Sequence, residues 1–254
     1  MLGVPFGAGL LLAGQLRWEA LPAAVALLGL FLIREPLVVL WRQARIWKEP
    51  HAETSTARRT LAVCLPAVLL SSLVLLWRLP FVPLAALGAM GGLLLGASFC
   101  LTIQNRQRSI LLQLASASGL NASALLAWLA VRPVWSHEVW WLWGLLAAQS
   151  FSSILLVHAW LEARITARLE IAVRPMRRAS MVAESAVMVL AALLLLVSRF
   201  LAAGAMILSA LVHVTDLARL GNPSALETPL RRIGVRELVL SIVVALLTVT
   251  GLRS

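Results

Sequence analysis

The sequence predicts an all-α, polytopic membrane helical bundle of about nine transmembrane helices, with eight as the lower count, and a cytoplasmic N-terminus. Three observations carry this. Hydrophobic residues make up 61% of the 254 and charged residues 13%, about half the share that soluble domains carry. Mean hydropathy is +0.91. The apolar residues come in blocks of about 20, the length needed to cross a hydrocarbon core of about 30 Å. These numbers exclude a soluble enzyme, a secreted disulfide scaffold and a disordered chain. Residues 1–254 read as a single multi-pass transmembrane domain.

The blocks run 2–16, 20–41, 61–77, 84–103, 109–131, 139–161, 181–198, 200–218 and 235–252. The first has no basic region ahead of it, so it reads as a retained span rather than a signal peptide, and it is short for a bilayer. The second loses its apolar character at Arg34-Glu35-Pro36. The third and fourth are separated by Arg78 and Pro80, and the fourth ends at Gln104-Asn105. Gly88, Gly91, Gly92 and Gly96 in the fourth form small-xxx-small rows, which predict close helix packing. The seventh and eighth blocks are divided by Ser198 and Arg199 alone. No block reads as a strand. The connections 42–60 and 162–180 are long and arginine-rich, four helices apart, which suggests a repeated four-helix unit with a ninth helix added. Residues 162–180 also have the spacing of an interfacial helix, and equally the composition of a solvated basic linker pinned by anionic lipid.

The net charge of +11 belongs to these connections and does not point to nucleic acid. With the N-terminus inside, the inner loops take Arg34, Arg42, Arg45, Lys48, Arg58, Arg59, Arg106, Arg108, Arg164, Arg168, Arg174, Arg177, Arg178, Arg219, Arg231, Arg232 and Arg236. The outer side takes Arg17, Arg78, Arg132, Arg199 and Arg253. That asymmetry is a positive-inside pattern. Tryptophans such as Trp18, Trp77, Trp140 and Trp160 fall near block ends, as an interfacial belt requires.

Polar groups inside a bilayer cost several kcal/mol unless paired or hydrated, so those at block ends are the candidate ligand-binding residues. They are Arg34, Glu35, His158, Glu162, Glu184, His213 and Asp216. His158 precedes Glu162 by four residues and His213 precedes Asp216 by three, so each pair shares a helical face. Together they predict a polar, basic chamber opening to the cytoplasm. Arg236-Glu237 reads as an interfacial pair at a helix start. Cys64 and Cys100 lie in apolar runs without metal-binding spacing, and no nucleotide or zinc motif is present. No cofactor and no metal site is expected, and the sequence names no catalytic residue. Asp216 is the only aspartate, which leaves no paired-carboxylate magnesium site.

The stretches Leu30-Phe-Leu-Ile-Arg-Glu-Pro-Leu-Val-Val-Leu-Trp-Arg42, Phe151-Ser-Ser-Ile-Leu-Leu-Val-His158 through Arg164, and Ile233-Gly-Val-Arg-Glu-Leu-Val-Leu240 resemble the YwiC-like bacterial membrane proteins over nearly the whole chain. That resemblance implies a multi-pass protein of the bacterial cytoplasmic (inner) membrane. The layout is also similar to the UbiA-type prenyltransferases, which hold magnesium and a diphosphate on aspartate-rich motifs after helices 2 and 6. Here Arg34-Glu35-Pro36 and His158-xxx-Glu162 stand at those places. The sequence therefore points to a non-enzymatic binder, carrier or assembly subunit. Its ligand is anionic or lipid-like, and its partners are the lipid bilayer and a membrane complex. The alternative is a divergent UbiA-like prenyl or lipid transferase working without the paired-aspartate site.

Overall fold

The computed structural model describes residues 3–47, 52–104, 109–169 and 175–253, and every regular element among them is helical. In chain order these are α1 (Gly3–Ala13), α2 (Ala20–Arg42) running into a π-turn (Gln43–Trp47), α3 (Ala52–Arg78), α4 (Phe81–Ile103), α5 (Ile110–Asn121) and α6 (Ser123–Val131). They continue with α7 (His137–Leu169), α8 (Pro175–Leu196), α9 (Phe200–Arg219), α10 (Pro223–Leu226) and α11 (Leu230–Arg253). Among the described residues eight segments are long and apolar enough to cross a membrane, with α5 and α6 counted as one. The chain is a multi-pass membrane protein. The short first block forms the 11-residue α1, about 16 Å long at 1.5 Å per residue and too short to span. It ends at Gly14, whose φ of 74° is the left-handed conformation that closes helices and that glycine adopts without strain.

Several boundaries depart from the sequence expectation. Helix α2 keeps to its block, running through Pro36 to Arg42, whereas α3 begins at Ala52, ahead of its block, so much of the 42–60 connection is helix. Likewise α7 extends to Leu169 and α8 starts at Pro175. The spans themselves lengthen into 162–180 rather than leaving a separate interfacial helix; residues 170–174 lie outside the described ones. The helix of block 109–131 is interrupted between Asn121 and Ser123, where the Asn121 side-chain amide donates to the Ala117 carbonyl at 2.9 Å and competes with the backbone ladder.

The division at Ser198 and Arg199 is a built turn. Ser198 has φ 59°, the Arg199 N–H donates to Leu194 O at 2.8 Å, and the Ser198 N–H donates to Leu195 O at 3.0 Å. This is the double closure of a Schellman cap, with serine where glycine is usual.

By their internal contacts the residues form two compact units, Ala13–Trp135 and Met1–Leu12 with Ser136–Ser254. In the first, α2 buries a stripe at Ala20, Ala23, Ala26, Gly29, Ile33 and Pro36. At Gly29 a Cβ would come within 2.3 Å of Val68 Cγ2 on α3, so glycine sets how closely these helices approach. The glycine row of α4 does not pack closely. A Cβ at Gly88, Gly91, Gly92 or Gly96 meets nothing within 4 Å.

The second unit is a bundle of α7, α8, α9 and α11. One apolar layer joins Leu145, Val187, Leu194, Met206 and Val244. The other joins Leu156, Trp160, Leu217 and Ile233, with Met176 against it. This second layer lies at the end where Arg164, Arg177, Arg219 and Arg232 cluster in sequence. Residues drawn from all four helices meet in each layer, so neighbouring helices run antiparallel. Polar groups lie between the two layers.

Candidate functional site: a buried histidine–carboxylate cluster and an amphiphilic groove

Each helix of the second unit brings polar residues to its inner face at helical spacing. They are Gln149, Ser152 and Ser153 on α7, Ser180 and Glu184 on α8, Ser209, His213 and Asp216 on α9, and Glu237 and Ser241 on α11. His213 is the centre, with 0% exposure, while Glu184, Asp216 and Glu237 are each 2% exposed. His213 Nδ1 lies 2.9 Å from Glu184 Oε1 and 3.0 Å from Ser152 Oγ. Its Nε2 lies 3.0 Å from Glu237 Oε2. One imidazole thus joins three helices through two carboxylates.

The surrounding bonds fix the cluster further. Ser153 Oγ donates to Glu237 Oε2 at 2.7 Å, and Ser152 Oγ donates to the Gln149 carbonyl at 3.0 Å. Arg236 pairs bidentately with Asp216, through Nη1 to Oδ1 at 2.8 Å and through Nη2 to Oδ2. Its Nη2 also donates to Glu237 Oε1 at 3.1 Å. One layer along, Gln149 Nε2 and Ser241 Oγ are 3.2 Å apart. The second oxygen of Glu184 is buried with no hydrogen-bond partner among the described residues. Three carboxylates thus face one guanidinium and one imidazole.

The sequence candidates divide between places. Glu184, His213 and Asp216 meet in this cluster, but His213 and Asp216 bond to different partners rather than acting as a dyad. Glu162 turns to the start of α8, where its Oε2 accepts from the Met176 N–H at 3.0 Å and satisfies a helix-terminal donor. His158 is half-buried further along α7. Arg34 and Glu35 belong to the first unit, 3.6 Å apart. The reading of Arg236-Glu237 as an interfacial pair is half right: the two do bond, but Glu237 is buried. Gln149, Ser152 and Ser153 are not among the sequence candidates, although polar residues at i, i+3 and i+4 in an apolar run are a visible signal. Among the described residues no three His, Cys, Asp or Glu side chains are grouped as metal ligands.

The first unit carries a groove of about 620 Å³ between α2 and α3. Phe31, Leu32, Pro36, Val39 and Ala57 form its wall, and Arg34, Glu35, Glu53, Thr56 and Thr60 form its polar part. Arg34 Nη2 donates to Thr102 Oγ1 on α4 at 2.9 Å, and Thr102 in turn donates to the Ser98 carbonyl at 2.7 Å. This holds the guanidinium in place, while its Nε is buried with no acceptor among the described residues. On the described residues 34–47 and 52–60, five arginines (Arg34, Arg42, Arg45, Arg58 and Arg59) face two carboxylates (Glu35 and Glu53).

Among known families, the model of the YwiC-like proteins matches residues 1–131, which covers α1 to α6. The stretches 151–164 and 233–240 lie beyond that match. No curated protein and no solved structure matches the chain.

Proposed function

The chain belongs to the YwiC-like protein family, and from that premise we propose that it is a non-enzymatic binder or carrier of an anionic, lipid-like amphiphile, set in the bacterial cytoplasmic membrane. The observation that carries this reading is the α2–α3 groove, where an aliphatic wall meets a fixed guanidinium with one buried donor to spare. An acyl or isoprenoid chain fits the wall. An anionic head group accepts a charge-assisted hydrogen bond from Arg34 and lies in the field of Arg42, Arg45, Arg58 and Arg59, each basic residue near a membrane surface contributing about 1 kcal/mol. The buried cluster of the second unit suits an anion poorly, since its three carboxylates would repel one. The groove, by contrast, has an excess of arginine and offers the groups of a binding site rather than of a reaction.

The test is quantitative lipid mass spectrometry of the full chain purified in native nanodiscs. Anionic amphiphiles should be enriched over the bulk membrane, and Arg34→Gln should lower that enrichment about tenfold, the effect of losing roughly 1.4 kcal/mol. Lipid content equal to the bulk membrane, or enrichment that survives Arg34→Gln, refutes the reading.

A further inference from the structure

We propose that Glu184, His213 and Glu237 form a proton-binding site within the second unit, holding one exchangeable proton in the hydrogen-bonded chain that crosses the His213 ring. It is independent of the groove and of the amphiphile.

The proton follows from counting donors. An ionised carboxylate only accepts hydrogen bonds, and a neutral imidazole has one N–H and one bare nitrogen. Both ring nitrogens of His213 face carboxylate oxygens, at 2.9 and 3.0 Å. The Ser152 hydroxyl, the other group at Nδ1, is committed to the Gln149 carbonyl. With a neutral ring and ionised glutamates, one ring lone pair would therefore point at a carboxylate lone pair. One additional proton removes that conflict. It sits on the ring as imidazolium, or on Glu184 as a carboxyl donating to Nδ1.

Charge leads to the same result. Every element packed around the ring contributes: hydroxyls from α7, Glu184 from α8, Glu237 with Arg236 from α11, and Asp216 from His213's own helix. Asp216 and Arg236 neutralise each other. The two glutamates then carry the balance, about −2 in a site 0–2% exposed, and each buried ion costs several kcal/mol. Uptake of one proton from water halves that charge, with hydroxide or buffer base as the counterpart left in solution. The proton also ties α8, α9 and α11 together through one ring. Its release leaves two carboxylates repelling one another between the same helices, so loading and release change how tightly the bundle closes. Access is from the edge where the Arg236 side chain is 39% exposed and where half-buried Ser153 hydrogen-bonds Glu237.

The experiment is infrared difference spectroscopy of the full chain in nanodiscs between about pH 5 and pH 11, in H₂O and D₂O, with ring-labelled histidine. The wild type should give a deuterium-sensitive signal of one proton per chain, shared between a histidine ring and a carboxyl group. Glu184→Gln should abolish it, and the exposed Glu227→Gln should leave it intact. If Glu184→Gln fails to fold, Glu237→Gln is read on the same signal, and the ring label reports the proton in the wild type without any substitution. A wild type with no such titrating signal, or a signal that survives both glutamate variants, overturns the proposal.

Discussion

Replacing His213 with alanine tests whether the cluster holds the bundle together. The ring has 0% exposure, and its loss removes two hydrogen bonds to charged groups, each worth about 1.5–3 kcal/mol. It also leaves Glu184 and Glu237 buried without the group between them. Breaking a buried ion pair from one side costs about 3–5 kcal/mol, and proton uptake by a stranded carboxyl keeps the loss near the lower part of that range. For a chain of this length that lowers the melting temperature by on the order of 10 °C. Thermal unfolding in nanodiscs, followed by tryptophan fluorescence, is the assay. Adding Glu184→Gln to His213→Ala should recover part of the loss, because it removes one uncompensated charge; a coupling of about 1 kcal/mol or more is expected for groups in one network. His158→Ala, at a half-buried position, should cost less than a third as much. A His213→Ala protein that melts with the wild type refutes the idea that the cluster holds the bundle together, and so does a double variant that is simply additive.

Two further outcomes follow from the backbone and the spans. Ser198→Gly relieves a left-handed conformation that costs an L-residue about 1–2 kcal/mol, offset by the greater freedom of glycine in the unfolded chain; we expect a net gain of about 0.5–1 kcal/mol, read as a higher melting temperature, and a loss of stability would contradict the Schellman reading. Reporter fusions should place the α2–α3 connection inside and Ser254 outside, following the arginine asymmetry. Because α1 is too short to cross, the same charges place Met1 outside, whereas nine spans place it inside.

The fold was legible in the sequence where block length alone decides it. An apolar run of about 20 residues has few alternatives to a spanning helix, because backbone polar groups in hydrocarbon must be satisfied within the segment. What escaped was local chemistry. Arginine density made 42–60 and 162–180 look like loops, yet Arg58 and Arg59 stay exposed on the first turns of α3, where a helix tolerates charge as well as a loop does. The α4 glycines looked like packing points, but small residues permit a close approach without supplying a neighbour. Helices are interrupted at Asn121 and Ser198 beside one or two local hydrogen bonds, below what any hydrophobicity pattern registers.

The site divides along the same line. A buried ionisable residue in a span declares itself by its cost, so Glu184, His213 and Asp216 stand out one at a time. Their partners are set by which helices touch, and sequence spacing reports only neighbours on the same helix. That is why i, i+3 and i, i+4 pairs suggested His158 with Glu162 and His213 with Asp216. The bonds of Glu162, His213 and Asp216 cross between helices, to Met176, to Glu184 and Glu237, and to Arg236. Glu237 was hidden by its neighbour: beside Arg236 it resembles a surface pair, although consecutive residues on a helix point about 100° apart. That angle leaves Arg236 at the edge of the bundle while Glu237 reaches the ring of His213. The dipeptide is therefore the junction between the accessible rim and the buried cluster, and its two side chains have different tasks because the helix separates them.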